Sequence, residues 1–99
     1  DGPGKAIRCA KEVAAAASAM GVPIRVGIHT GECEVRGDDL SGIAVHVAAR
    51  VMAFAEESEV IVTALTAELT RGSELTFESR GEHELRGVGG AWQLLAVSD

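Results

Sequence analysis

The fold of this chain is decided by the segment IRVGIHTGECEVR, which occupies residues 24–36. Its first part, residues 24–28, is a short run rich in β-branched side chains, and such a run predicts a strand that is buried on both faces. Its last part, residues 32–36, predicts a second strand in which Cys33 and Val35 share one face. These two strands are the reference from which the elements before and after them can be placed.

Two segments carry apolar residues at helical spacing, at residues 3–20 and 43–55, and a third helix is predicted at residues 64–71 from the residues that flank it. Pro3 is well placed at the start of the first helix, and Gly21 closes it. Thr63 precedes the third helix as a predicted N-cap, and Gly72 is predicted to stop that helix. Residues 37–42 form an acidic loop by composition.

Three further segments are predicted to be strands, at residues 59–62, 75–85 and 91–97, the last two joined by a glycine-rich hairpin turn at residues 87–90. The predicted order is therefore α-β-β-α-β-α-β-β. Such an order is typical of an α+β sandwich in which helices pack on a mainly antiparallel sheet.

Composition narrows the possible functions. The 99 residues carry a formal net charge of -6, and an acidic surface of this kind argues against a nucleic-acid partner. Two cysteines, Cys9 and Cys33, cannot form a disulfide framework, so a reduced, cytoplasmic setting is predicted. No apolar run approaches the roughly 20 residues that cross a bilayer, and no direct membrane contact is expected from this segment.

Three side chains around the acidic loop are candidates for binding a ligand. His46 and Arg50 are four residues apart and therefore lie on one face of the second helix, and Asp39 precedes that helix. A carboxylate, an imidazole and a guanidinium together suit a ligand with a base and phosphates, because arginine is well shaped to hold phosphate oxygens. The same spacing also fits a solvated helix face with a capping aspartate, so spacing alone leaves both interpretations open.

The longer motifs resemble those of a known family. GIHTGE at residues 27–32, followed by DLSGIAVHVAAR at residues 39–50, resembles the class III adenylate and guanylate cyclase catalytic domains of the bacterial branch. That family has Asp, then Gly three residues on, Asn seven on and Arg eleven on. RGEHELRGV at residues 80–88 is similar to the family's last hairpin, where Lys-Gly commonly stands. The resemblance extends over nearly the whole chain.

The resemblance implies a ferredoxin-like, cyclase-type sandwich and four site residues. Asp39 stands where the family selects the base, and an aspartate there favours ATP. Arg50 stands at the arginine that stabilises the transition state, and Arg86 at the hairpin lysine that contacts the terminal phosphates. His46 departs from the family's asparagine, which contacts the ribose, but an imidazole can still donate one hydrogen bond.

The implied activity is that of an adenylate cyclase, converting ATP to cyclic AMP and pyrophosphate in a homodimer whose active site lies between subunits. Residues 1–99 are expected to be the C-terminal portion of a single catalytic domain. The family holds two Mg²⁺ or Mn²⁺ ions with aspartates upstream of such a portion, and Asp38 is only a weak substitute. The fragment alone is therefore expected to be inactive.

Two alternatives remain open at this stage. The His46 departure is compatible with a degenerate cyclase-like module that senses nucleotide or only dimerises within a signalling protein. An α+β interaction domain, with Asp39 and Arg50 as surface groups, is the third interpretation. Two other residues have plain structural predictions: His29 as a packed or hydrogen-bonded histidine rather than a ligand, and Trp92 as a core residue of the last strand.

Overall fold

A computed structural model describes residues 2–30, 32–36 and 47–98. The helices are α1 (Gly2–Ala19), α2 (Val47–Met52) and α3 (Ala64–Glu68), and the strands are β1 (Arg25–His29), β2 (Glu32–Arg36), β3 (Val60–Thr63), β4 (Phe77–Glu84) and β5 (Ala91–Val97). This order confirms the predicted α-β-β-α-β-α-β-β succession. Within the described ranges, no helix combines the length and the apolar character needed to cross a membrane.

The five described strands form one sheet in the order β2-β1-β3-β5-β4. Strands β1 and β3 run parallel, whereas β1–β2, β3–β5 and β4–β5 are antiparallel. The prediction of a mainly antiparallel sheet is thus confirmed. Because β1 and β3 are parallel and adjacent, their carboxyl ends meet at one edge of the sheet, where His29 follows Ile28 and Thr63 follows Val62.

Helices cover both faces of this sheet. On one face α1 supplies Ile7, Ala10 and Ala14 to a core cluster with side chains from β1, β3 and β5. On the other face α2 supplies Val51, which packs with Ala55, Ile61, Leu85, Leu94 and Ala96. Successive strand residues point to opposite faces, so one central strand serves both clusters: Val60 and Val62 face α1, and Ile61 faces α2.

Gly27 sets the distance between α2 and the sheet. A Cβ built at this residue would lie 2.4 Å from the Met52 amide nitrogen and 2.5 Å from the Ala48 carbonyl oxygen. Both of those atoms belong to the backbone of α2, so no side-chain rotation could relieve the overlap. A glycine inside a strand often marks such a close approach of another backbone, and here it allows the helix to rest directly on β1.

An ion pair ties β4 to the residue that precedes β3. The Arg80 guanidinium donates through Nη1 to Oε1 of Glu59 at 3.1 Å and through Nη2 to Oε2. Burial by itself would raise the pKa of the Glu59 carboxyl, but hydrogen bonds from Arg80 and from the Glu56 amide, with the charges of Arg80 and Lys11, lower that pKa overall. The ion pair therefore stabilises the folded chain at neutral pH, and this stabilisation is lost as the pH falls through the lowered pKa of Glu59.

Two predicted helix ends are wrong by three residues. Helix α2 ends at Met52 rather than at residue 55, and α3 ends at Glu68 rather than at residue 71. In both places the chain continues as turns whose amides bond to the carbonyl three residues back, as in Ala55 N–H to Met52 O at 2.9 Å and Arg71 N–H to Glu68 O at 3.2 Å. The predicted first residues of α2, 43–46, lie outside the described residues.

The predicted capping role of the Thr63 side chain is also wrong. Thr63 does occupy the N-cap position of α3 with extended backbone angles, but its hydroxyl makes no capping hydrogen bond. The hydroxyl instead bonds to the side chains of His29 and Thr66. A tertiary partner on β1 has therefore replaced the local backbone partner that the sequence pattern indicated.

We expect Gly27→Ala to lower the free energy of unfolding by about 3 kcal/mol, because the added methyl must push the α2 backbone away from β1. Denaturant unfolding followed by circular dichroism measures this loss. Gly4→Ala is the matched control: Gly4 lies in α1, and its added methyl would meet only Arg8 Nη1 at 3.8 Å, so stability should be unchanged or slightly raised. Equal stability of the Gly27 variant and the wild type would contradict the close-contact interpretation.

Candidate functional site

The carboxyl ends of β1 and β3 carry a network of polar side chains. His29 Nδ1 and the Thr63 hydroxyl share a hydrogen bond of 2.9 Å. The Thr63 and Thr66 hydroxyls are 3.0 Å apart, and those of Thr30 and Thr66 are 3.3 Å apart. Because Thr63 and Thr66 are almost fully buried, each needs such a partner. The network joins the end of β1 to the start of α3, and it confirms the prediction of a hydrogen-bonded His29.

Arg50 lies on α2 between the two residues whose backbone touches Gly27. Helix α2 is held against the sheet through Ala48 and Met52, and the Arg50 side chain is half-buried as a result. Its Nε atom is buried and has no hydrogen-bond partner among the residues that the structure describes. A buried donor without a partner costs about 1–3 kcal/mol. Such an arginine is a candidate for binding a group that the described chain does not supply.

Arg86 lies in the turn between β4 and β5. The residue before it, Leu85, is buried in the α2-side cluster, whereas Arg86 itself is exposed. Gly87 and Gly89 have φ angles of 78° and 86°, in the left-handed region that favours glycine. The predicted glycine-rich hairpin turn is therefore confirmed, and it presents a guanidinium to solvent.

The elements that carry Arg50 and Arg86 converge on one apolar cluster. Val47, one helical turn before Arg50, and Val88, two residues after Arg86, both pack against the cluster that contains Leu94 and Ile61. Helix α2, which carries Arg50, and the turn that carries Arg86 therefore lie on the same side of the sheet. The other two predicted site residues, Asp39 and His46, lie outside the described residues.

The described side chains do not fit a metal ion. Among the side chains that the structure describes, no group of three or more His, Cys, Asp or Glu could hold one. The two divalent ions implied by the family resemblance therefore find no ligand set among the described side chains.

Two residues of the site were not predicted from the sequence in their present roles. The sequence predicts Gly27 only as part of a strand, and its position inside an apolar run is the one signal of a close approach by another backbone. Trp92, predicted as a core residue, is half-buried and packs against the cluster that contains Leu94 and Ile61. In addition, its indole Nε1–H donates to the Gly89 carbonyl oxygen at 2.9 Å. Nothing in the spacing of Trp92 and Gly89 indicated that bond.

Comparison with known proteins identifies relatives of this chain. The profile of the adenylate and guanylate cyclase catalytic domain family matches residues 5–96. Uncharacterised proteins of Mycobacterium tuberculosis and Mycobacterium bovis are 30% identical to it over 70 residues, which is 68% of this chain. The matched segment spans 25% of the length of these relatives.

A solved structure is also similar. The adenylyl cyclase CyaB of P. aeruginosa superposes with a TM-score of 0.49 at 15% sequence identity. The match covers 77% of this chain and 37% of that one.

We expect Arg50→Met to leave the free energy of unfolding unchanged or to raise it by about 1 kcal/mol, because methionine keeps much of the apolar stem and removes a buried donor for which the described residues supply no partner. Arg80→Met is the matched control and should destabilise the chain, since it leaves the half-buried Glu59 carboxylate without its partner. Denaturant unfolding of both variants measures the difference. A loss of stability in the Arg50 variant as large as that in the Arg80 variant would mean that Arg50 serves the fold.

Proposed function

Because the chain belongs to the family of adenylate and guanylate cyclase catalytic domains, we propose that it is the C-terminal portion of an adenylate cyclase domain that converts ATP to cyclic AMP and pyrophosphate. The observation that carries the proposal is the buried Nε of Arg50, which has no partner in the described chain. A charged side chain held in this state is suited to an anionic group that arrives with a substrate.

Arg50 is proposed to stabilise charge that develops on the α-phosphoryl group as the 3′-oxygen attacks and pyrophosphate leaves. A fixed donor in a partly desolvated site acts strongly on such charge, because little reorganisation is needed during the reaction. The seating of α2 on Gly27 supports this role, since the backbone on both sides of Arg50 is in contact with β1.

The other site residues are proposed from their positions in the family motif. Asp39 accepts a hydrogen bond from the adenine amino group, His46 donates to the ribose, and Arg86 binds the terminal phosphates. The exposed position of Arg86 in a turn is consistent with binding a group that enters from solvent. Arginine can engage phosphate oxygens through two parallel hydrogen bonds, so it can replace the lysine that is common in the family.

The domain is proposed to work as a homodimer, in which the facing subunit completes the site. The two Mg²⁺ or Mn²⁺ ions of the family would be held by ligands outside the described residues, and cytoplasmic ATP is the proposed substrate. The net charge of -6 is consistent with a small nucleotide rather than a nucleic acid as ligand.

A degenerate cyclase-like module is the second candidate, and the observation that favours it is His46 at the position of the family's asparagine. Such a module would bind nucleotide or only dimerise, with no turnover. The two candidates differ in one measurable property, which is production of cyclic AMP by the complete catalytic domain.

We expect Arg50→Ala in the complete domain to lower kcat by about 10²–10³ while changing KM comparatively little, because the contact is made mainly in the transition state. Arg25→Ala is the control: Arg25 is exposed at the start of β1, and its loss should leave both constants unchanged. Production of cyclic AMP from ATP at several concentrations provides both constants. Unchanged turnover in the Arg50 variant would refute the assignment and favour the degenerate module.

The complete domain should use ATP well ahead of GTP. The guanine carbonyl would face the Asp39 carboxylate where adenine offers an amino group, and an unpaired buried acceptor costs about 1–3 kcal/mol, or tens-fold in kcat/KM. Asp39→Asn should narrow this preference, because an amide can also donate, whereas the same change at the neighbouring Asp38 should preserve it. Equal kcat/KM values for ATP and GTP in the wild type would show that Asp39 does not select the base.

A further inference from the structure

Trp92 connects β5 to the turn that carries Arg86. Its indole Nε1–H donates to the Gly89 carbonyl oxygen at 2.9 Å. Within the turn itself, the Val88 amide bonds to the Leu85 carbonyl at 3.0 Å. Gly87, Gly89 and Gly90 all have positive φ angles. Glycine adopts such angles readily because it has no Cβ, and for the same reason its backbone has few steric limits of its own. The bond from Trp92 is therefore a further restraint on this segment, in addition to the bond between Val88 and Leu85.

The Trp92 ring also contacts the last residue of β1. The imidazole of His29 meets it edge-on, with ring centroids 5.4 Å apart and an interplanar angle of 83°. His29 is itself fixed through Nδ1 by the buried hydroxyl of Thr63. A continuous set of contacts thus runs from the end of β3, through His29 and Trp92, to the Gly89 carbonyl in the turn.

We propose that Trp92 is a positioning residue that holds the β4–β5 turn, and with it Arg86, in the conformation that receives the terminal phosphates of the substrate. The restraint on the turn stands on the contacts above, whereas its consequence for substrate binding rests on the proposed function. Ring packing alone does not account for Trp92, because the ring is only half-buried and its one polar atom is used on the turn rather than on its own strand.

Trp92→Phe separates the contribution of ring packing from that of the indole hydrogen bond to Gly89. Phenylalanine keeps an aromatic ring at the start of β5, next to His29, but has no N–H to donate to Gly89. If the indole bond restrains the turn, its removal releases residues 86–90 without opening the sheet. If Trp92 serves only as part of the core, the substitution instead weakens the chain as a whole.

Hydrogen–deuterium exchange of the 99-residue chain tests the restraint without any ligand. In Trp92→Phe we expect the peptide covering residues 86–90 to exchange about fivefold faster, the effect of losing one hydrogen bond of ordinary strength, while β1 and β3 exchange as before. Thr76→Val is the control, since it removes a hydrogen bond to Ser98 at the far end of the same strand pair and should leave the turn unaffected. Unchanged exchange in the turn, or equally faster exchange everywhere, would overturn the proposal.

Kinetics of the complete domain test the link to Arg86. Trp92→Phe should raise the KM for ATP about fivefold with kcat little changed, because a loosened turn weakens binding in the ground state and the transition state alike. The double variant with Arg86→Gln should be no worse than Arg86→Gln alone, since Trp92 acts through that residue. Additive losses would overturn the link. A wild-type domain that makes no cyclic AMP would refute the proposed function, and the exchange result would still decide whether Trp92 restrains the turn.

Discussion

Helix α2 lies on β1 with no side chain between them at Gly27. The carbonyl of Ala48 and the amide of Met52 occupy the space that a Cβ would take, so this backbone contact sets the depth of the helix. With the helix at this distance from the sheet, Val51 packs against Ile61 and Leu94 in one apolar cluster. Protein interiors are packed nearly as densely as organic crystals, and lifting the helix by even a fraction of an ångström would open this cluster along its length.

Arg80 and Arg50 differ in whether a described side chain pairs with the guanidinium. Arg80 lies on β4 and meets the Glu59 carboxylate through both of its terminal nitrogens, and this hydrogen bond raises its pKa. Arg50 is drawn towards the sheet by the helix that carries it, and its buried Nε finds no partner among the described residues. Arg80 therefore contributes to the fold, whereas Arg50 adds a cost that a bound anion would remove.

The order of elements could be predicted because it depends on local patterns: β-branched runs marked the strands, and helical spacing of apolar residues marked α1 and the described part of α2. The Thr63 cap could not be predicted, because the hydroxyl bonds to a partner distant in sequence, the His29 imidazole. The exact helix ends could not be predicted either, because apolar spacing does not distinguish a last helical turn from the tighter turns that follow Met52 and Glu68. For the candidate site, the motif indicated Arg50 and Arg86 by position. It could not indicate that Arg50 Nε is buried without a partner among the described residues, or that Trp92 bonds to Gly89, because both arise only when the sheet brings separate elements together.

The two arginines are also mounted in mechanically different ways, and this difference fits their proposed roles. Arg50 sits on a helix that is in backbone contact with a central strand, so its position is set by the packing of the whole α2 face. A contact that must match a transition state needs such rigid support, to within about 0.5 Å. Arg86 sits in a turn with three glycines in the left-handed region, restrained by the indole of Trp92. A group that binds terminal phosphates must also release pyrophosphate, and a glycine-rich turn held by few hydrogen bonds can change conformation more easily than a helix in backbone contact with a strand.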